Sequence, residues 1–193
     1  MYQNRVRIIG GQWRRRWLRF PPAQGLRPTP SRVRETLFNW LGQDLTGLAC
    51  LDLFAGSGAL GFEAASRGAR EVVLLEQDLR IAEALQASAR ALQAGAASRG
   101  SVEALRADAL EFLMHDTRAF DVTFIDPPYA FWERAHQPLG TLLGRLAGRV
   151  ARGGRVYLES PEFPQLPQRW HPVKQGRAGA VHYQLLGLGA EVQ

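Results

Sequence analysis

The sequence predicts an α/β protein: a mainly parallel β-sheet with helices on both faces. Three observations lead there. The run Ala49-Cys50-Leu51-Asp52-Leu53 lacks hydrophobic alternation, as suits a parallel strand covered on both sides. It passes directly into Phe54-Ala55-Gly56-Ser57-Gly58-Ala59-Leu60-Gly61, whose glycines permit a tight turn and a close backbone approach to a ligand. A helix is expected to start near Ala59, with its first N–H groups pointing back at that ligand. Downstream, apolar strand-like runs alternate with helix-period runs, the signature of crossover units in one open sheet.

The 193 residues fit one domain with a small appendage. Residues 1–34 hold nine arginines and no acid, while the whole chain carries +6, so the remainder is mildly acidic. That asymmetry predicts a polyanionic partner met by the N-terminal end. The single cysteine, Cys50, lies in the first predicted strand and reads as a buried thiol; no internal disulfide is possible. His115, His136, His171 and His182 are scattered, and no metal site is expected. The first twenty residues are rich in arginine and lack an apolar core segment, so no signal peptide is expected. Residues 45–62 are apolar enough to mimic a membrane span, but Asp52 and the glycines favour a buried strand and turn. A cytoplasmic protein without membrane contact is the expectation.

In order along the chain, residues 1–24 read as a basic β-hairpin extension. Val6, Ile8 and Ile9 make a strand, Gly10-Gly11 is a two-residue turn signal, and Gln12 to Phe20 returns. Trp13, Arg15, Trp17 and Arg19 would share one face of the return strand. Arg5, Arg7, Trp13, Arg14, Arg15, Arg16 and Arg19 are the candidate RNA contacts, with guanidinium on phosphate and rings on bases. The alternative is that the tryptophans pack on the main domain. Residues 25–193 form that domain. Pro21 to Pro30 is a linker, Thr29 a candidate helix cap with Pro30 at the first helical position, and Gly42 a candidate stop. The second strand, Glu71 to Leu75, ends at Glu76, twenty residues after Gly56; an acid there can meet the hydroxyls of a ribose. Asp78 caps a helix that carries Ile81, Leu85 and Leu92 and ends near Gly95. Val102 to Arg106 is a third strand. Asp108, with Ala109, can accept an adenine amine, cap the next helix, or both. Phe120 to Ile125 is a fourth strand, Pro138 to Gly148 a helix, Arg155 to Glu159 a fifth strand. Residues 170–175 and 181–187 close the sheet around a Gly-Arg-Ala-Gly turn, adding an antiparallel strand at one edge.

The fourth strand ends in Asp126-Pro127-Pro128-Tyr129. Ligands of open α/β sheets sit beyond the strands' carboxyl ends, at the switch point, where this turn is expected to face the glycine turn. The prolines stiffen the backbone and remove donors, leaving the Asp126 carboxylate and the Pro127 carbonyl as two close acceptors. Two acceptors suit an NH₂ group: hydrogen bonds to both protons aim the nitrogen lone pair, and Tyr129 offers a face for a planar base. Catalysis would rest on positioning and fixed electrostatics, with the methyl of a sulfonium cofactor as electrophile. Taken alone, Gly56-x-Gly58-x-x-Gly61 also fits a dinucleotide site or a turn with no ligand.

These motifs resemble the S-adenosylmethionine-dependent class I methyltransferases, and among them the RsmD family, which methylates the N2 amine of a guanine in bacterial 16S rRNA. The matching runs are residues 7–13, 25–29, 32–41 and 51–61, with Asp126 to Tyr129. The resemblance implies a Rossmann-like, seven-stranded, mainly parallel sheet with one antiparallel strand and an N-terminal extension. It implies that Asp52 and the loop Phe54, Ala55, Gly56, Ser57 and Gly58 cradle the methionine and sugar of S-adenosylmethionine, that Glu76 holds the ribose, and that Asp108 and Ala109 meet the adenine. Asp126, Pro127, Pro128 and Tyr129 would grip the guanine. The implied substrate is an assembled or assembling small ribosomal subunit, with ribosomal proteins as further partners, and a monomeric enzyme is the default. Arg15-Arg16-Trp17 departs from the family, where a glycine and a lysine are usual. Three rival functions share parts of the pattern: a nicotinamide-dependent oxidoreductase, which gives Asp-Pro-Pro-Tyr no role; a non-catalytic RNA-binding factor; and a DNA adenine methyltransferase, for which the chain offers no separate target-recognition domain.

Overall fold

A computed structural model describes residues 4–94, 100–133 and 138–189. The N-terminal pair is β1 (Asn4–Arg7) and β2 (Trp17–Phe20), followed by α1 (Ser31–Leu41). Then come β3 (Ala49–Asp52), α2 (Ala59–Ser66), β4 (Glu71–Glu76), α3 (Leu79–Ala94), β5 (Ser101–Arg106), α4 (Ala109–His115) and β6 (Phe120–Ile125). The chain closes with α5 (Tyr129–Trp132), α6 (Pro138–Leu146), β7 (Val150–Ser160), β8 (Trp170–Ala178) and β9 (Val181–Leu188). Gly95 and His136 lie outside the described residues.

Seven strands form one sheet in the order β5-β4-β3-β6-β7-β9-β8. Strands β3 to β7 pair in parallel, and β9 runs antiparallel between β7 and β8. The antiparallel strand is thus second from the edge, and β8 is the edge. The closing turn is also displaced: Gly176, Arg177 and Ala178 belong to β8, and the reversal falls at Gly179, with φ +62°. Strand β7 begins at Val150, five residues before the predicted start, because a register shift opposite Phe120 and Val122 lets the chain absorb Gly153 and Gly154 within the strand.

The unalternating strands split their side chains between two cores. Cys50, Val72, Leu74 and Phe124 pack beneath α1, α2 and α3, while Leu51, Val73, Leu75 and Ile125 pack against α4 and α6. Cys50 is fully buried, and burial pushes its thiol up to about 12, so it is inert at neutral pH. Gly61 sits on α2 where a Cβ would come within 2.0 Å of Leu74; its absence lets helix and sheet close together. Asp78 caps α3 by accepting from the N–H groups of Arg80 and Ile81 at 2.9 and 3.0 Å. Among the described residues, no helix is long and apolar enough to cross a membrane.

The N-terminal segment differs from the predicted tight hairpin. Its strands are four residues each, and residues 8–16 form a wide loop pressed onto the end of α2. Gly10-Gly11 is not the reversal: a Cβ on Gly11 would lie 1.8 Å from the Ser66 carbonyl oxygen, so this glycine permits contact with the helix. The N–H groups of Gln12 and Trp13 donate to the Ser66 carbonyl and hydroxyl at 2.7 and 2.9 Å, satisfying acceptors at the helix end. Those of Ile9 and Gly10 donate to the Glu63 carboxylate at 2.9 and 2.7 Å. Arg34 and Arg67 also bind Glu63, at 3.3 and 2.9 Å, and all three side chains are buried. Val6, Ile8, Trp13, Leu18 and Phe20 join the same core as α1. Pro30 is the residue preceding α1, and no side chain caps that helix; Thr29 is engaged elsewhere.

Candidate active site

The parallel register Asp52↔Phe124 brings the carboxyl ends of β3 and β6 side by side. The glycine turn after β3 and the Asp-Pro-Pro-Tyr turn after β6 therefore meet. The Leu53 N–H donates to the Phe124 carbonyl at 3.1 Å, and the rings of Phe54 and Phe131 touch edge to face at 5.6 Å.

In the first turn Gly56 and Gly58 adopt φ +50° and +77°, values that side chains disfavour. Glu76 closes the turn from the next strand. Its carboxylate accepts from the Gly56 N–H at 3.1 Å and from the Asp78 N–H at 2.9 Å. Asp52 is 1% exposed; Oδ2 accepts from the Gly61 N–H at 3.1 Å, while Oδ1 has no partner among the described residues. Burial pushes the Asp52 carboxyl up to about 7, opposed by the Gly61 N–H and reinforced by the charge of Asp126. Phe54 is half-buried, and Ala55 and Ser57 are buried. Asp108 is a helix cap: Oδ1 accepts from the Leu110 and Glu111 N–H groups at 2.8 and 3.0 Å, and Oδ2 accepts from Gln77. The Ala109 side chain is buried in the core with Leu51, Val73 and Leu113.

In the second turn Asp126 is half-buried, and the Thr29 hydroxyl donates to its Oδ2 at 3.1 Å. Burial raises the Asp126 carboxyl above its ordinary value, opposed by that hydrogen bond. Pro127 is buried, Pro128 exposed, and Tyr129, at the start of α5, 62% exposed. Beside them β7 delivers Glu159, 5% exposed, whose Oε1 accepts from the Tyr157 hydroxyl at 2.9 Å. Glu159 is raised as well, by burial first and then by the charge of Asp126. Asp126, Pro127, Tyr129, Trp132, Glu159 and Ser160 line one cleft open to solvent.

Thr29 and Glu159 were not among the predicted site residues. Glu159 carried the signal that singled out Glu76, an acid directly after an apolar strand. Thr29 carried none beyond its place in a family-like run, because its partner lies 97 residues away.

On the N-terminal face, pairing sets Arg5 opposite Arg19 and Arg7 opposite Trp17. The guanidinium of Arg5 lies over the Trp17 ring at 4.4 Å, and that of Arg7 at 5.6 Å. Arg14, Arg15 and Arg16 are exposed on the loop. Trp13 corrects the predicted RNA face: it is 1% exposed within the core, because the loop turns it under rather than along a strand, so it cannot stack on a base.

The model of the family described as Conserved hypothetical protein 95 matches residues 6–187. Ribosomal RNA small subunit methyltransferase D of Escherichia coli K12 is 39% identical over 185 residues, covering 94% of this chain and 89% of that protein. Its Haemophilus influenzae counterpart is 38% identical over 187 residues, covering 95% and 94%. The solved structure of the putative methyltransferase yhhF from E. coli superposes with a TM-score of 0.81 at 35% identity, covering 97% of this chain and all of that one. With the glycine turn and the Asp-Pro-Pro-Tyr turn in register and likeness along nearly its whole length, this chain belongs to the RsmD family of methyltransferases.

Proposed function

We propose that the protein transfers a methyl group from S-adenosylmethionine to the exocyclic N2 amine of a guanine in 16S rRNA of the small ribosomal subunit. The observation that carries this reading is the adjacency of the two turns at the ends of β3 and β6. The buried, unpartnered Oδ1 of Asp52 fits the cofactor's ammonium group, and the glycine turn closed by Glu76 fits its sugar. Bound there, the cofactor supplies an activated methyl on a sulfonium centre. The Asp126 carboxylate and the Pro127 carbonyl accept hydrogen bonds from the two amine protons and aim the nitrogen lone pair at that methyl, while Tyr129 stacks on the base. The raised carboxyl of Asp126 then takes the proton that the methylated nitrogen sheds. Asp52, Phe54 to Gly58, Glu76, Asp108 and Ala109 hold the cofactor. Residues 25–193 are the catalytic domain, and residues 1–24 supply RNA contacts through Arg5, Arg7, Arg14, Arg15, Arg16 and Arg19. The enzyme works as a cytoplasmic monomer, on rRNA arranged by ribosomal proteins.

The test is labelled methyl transfer to small subunits, free rRNA and DNA, followed by nucleoside analysis. N2-methylguanosine from rRNA is expected. Asp126→Ala should lower kcat by at least about 100-fold while the cofactor Kd stays within about threefold. Undiminished transfer by that variant, or label in DNA adenine, removes the reading. Replacing the exposed Arg5, Arg7, Arg14, Arg16 and Arg19 together by Gln should weaken RNA affinity and flatten its salt dependence, because released counterions scale with phosphate contacts.

A further inference from the structure

We infer that Glu159 is the residue that selects guanine, its carboxyl pairing with the N1–H and O6 of the base whose N2 amine rests on Asp126 and Pro127. This deepens the activity proposed above and rests on it. Ile125 pairs with Leu158 in the parallel register of β6 and β7, so Asp126 and Glu159 leave neighbouring strand ends at the same level. Strands lie about 4.8 Å apart, a spacing comparable to the length of a base's Watson–Crick edge. Both carboxyls line the same cleft, together with Tyr129. Guanine presents the amine, N1–H and O6 in sequence along that edge. With the amine on Asp126, the next two groups, a donor and an acceptor, face the neighbouring strand end.

Glu159 has the matching pair. Tyr157 occupies one lone pair of Oε1, which leaves the other lone pair to accept N1–H, while Oε2 carries the proton, which the base's O6 takes up in competition with the nearby Thr29 hydroxyl. That proton is retained because Glu159 is buried beside a second carboxylate, and two like charges so placed do not both ionise. A second buried group waits at the same spot: Ser160, 4% exposed and lining the cleft, has a hydroxyl with no partner among the described residues. Adenine and cytosine offer only acceptors beside the amine, so they can take the Glu159 proton but supply no donor for its Oε1, and one of the two bonds that guanine makes is lost.

The test uses full-length protein and small-subunit rRNA, free or reconstituted, with guanine or 2-aminopurine at the position that labelled transfer maps. 2-Aminopurine keeps the amine but lacks N1–H and O6. The wild type should favour guanine in kcat/KM by at least about 100-fold. In Glu159→Ala the preference should shrink to within about fivefold. Glu159→Gln, whose amide offers the same acceptor and donor, should keep it, with cofactor Kd unchanged in both variants. A wild type that methylates both bases equally overturns the inference, as does full selectivity in Glu159→Ala or lost selectivity in Glu159→Gln. If Glu159→Ala does not fold, the wild-type ratio and the Gln variant decide. Absence of transfer to guanine by the wild type instead removes the proposed activity and this inference with it.

Discussion

Thr29 gives Asp126 its orientation. Its hydroxyl donates to that carboxylate, and Thr29 is itself buried between two prolines, while Asp126 precedes two more, so donor and acceptor are both held by stiff backbone. A hydrogen bond to an ionised group contributes about 1.5–3 kcal/mol. Thr29→Val keeps the shape and deletes the donor. It should lower kcat by about 10- to 100-fold with the cofactor Kd unchanged; an equal loss in cofactor binding would show that Thr29 acts on the fold instead. Arg15 is a different case. It is the only non-glycine residue with positive φ among the described residues, at +70°, and it lies in the run Arg15-Arg16-Trp17 that departs from the family resemblance. The left-handed conformation costs a side-chain residue about 1–2 kcal/mol, partly offset because glycine loses more entropy on folding. Arg15→Gly should raise stability by about 0.5–1 kcal/mol in urea unfolding, and Arg15→Val should lower it.

The docking of the N-terminal segment turns on one carboxylate. Glu63, on α2, receives two N–H groups from the loop and two guanidinium groups, one from α1 and one just past its own helix. Desolvation lowers the Arg34 pKa, and the charge of Glu63 opposes that shift. Glu63→Gln leaves a buried arginine without its counter-charge, a change that costs about 3–5 kcal/mol. Urea unfolding should show that loss, and proteolysis of the folded variant should cut first between Ile8 and Arg16. Unchanged stability would mean the loop is held by its apolar side chains alone. None of this was legible in the sequence, where Gly10-Gly11 read as a turn because its helical contact lies more than fifty residues on. By contrast β3, β4 and β6 were read nearly to the residue, since unalternating apolar runs and the breaks that end them are local signals. The start of β7 was missed because a register shift against β6 is a property of the pair of strands. At the site the same division holds. The glycine turn, Glu76 and Asp126 announce themselves through motif and strand end, whereas Thr29 acquires its role only once the sheet brings distant segments together.

Across the whole molecule, three carboxyls converge on one end of the sheet: Asp52 and Glu159, both buried, and the half-buried Asp126. All three are raised above the ordinary carboxyl value, burial being the first cause in each. An apolar filling would stabilise the free protein more, so these carboxyls are held at a cost to folding. The cost has a direction in pH. A carboxyl whose folded pKa exceeds its unfolded value, near 4, binds its proton more tightly in the native state. Its stabilising contribution is therefore complete below about pH 4 and is lost as pH rises through the folded value, which is about 7 for Asp52. Asp44 and Asp116 are shifted the other way, and their contributions are lost only in acid, as pH falls below the ordinary carboxyl range. Between pH 5.5 and 8 the raised groups govern. The ligand-free protein should be less stable at pH 8 than at pH 5.5, by about 2 kcal/mol for a group titrating near 7. Asp52→Asn should flatten that slope, and Glu159→Gln should flatten it further in combination. Denaturant unfolding at fixed ionic strength measures it directly. A flat profile over this window would mean that these carboxyls are already ionised in the free protein, and the proton on which Glu159 depends to recognise guanine would then be missing.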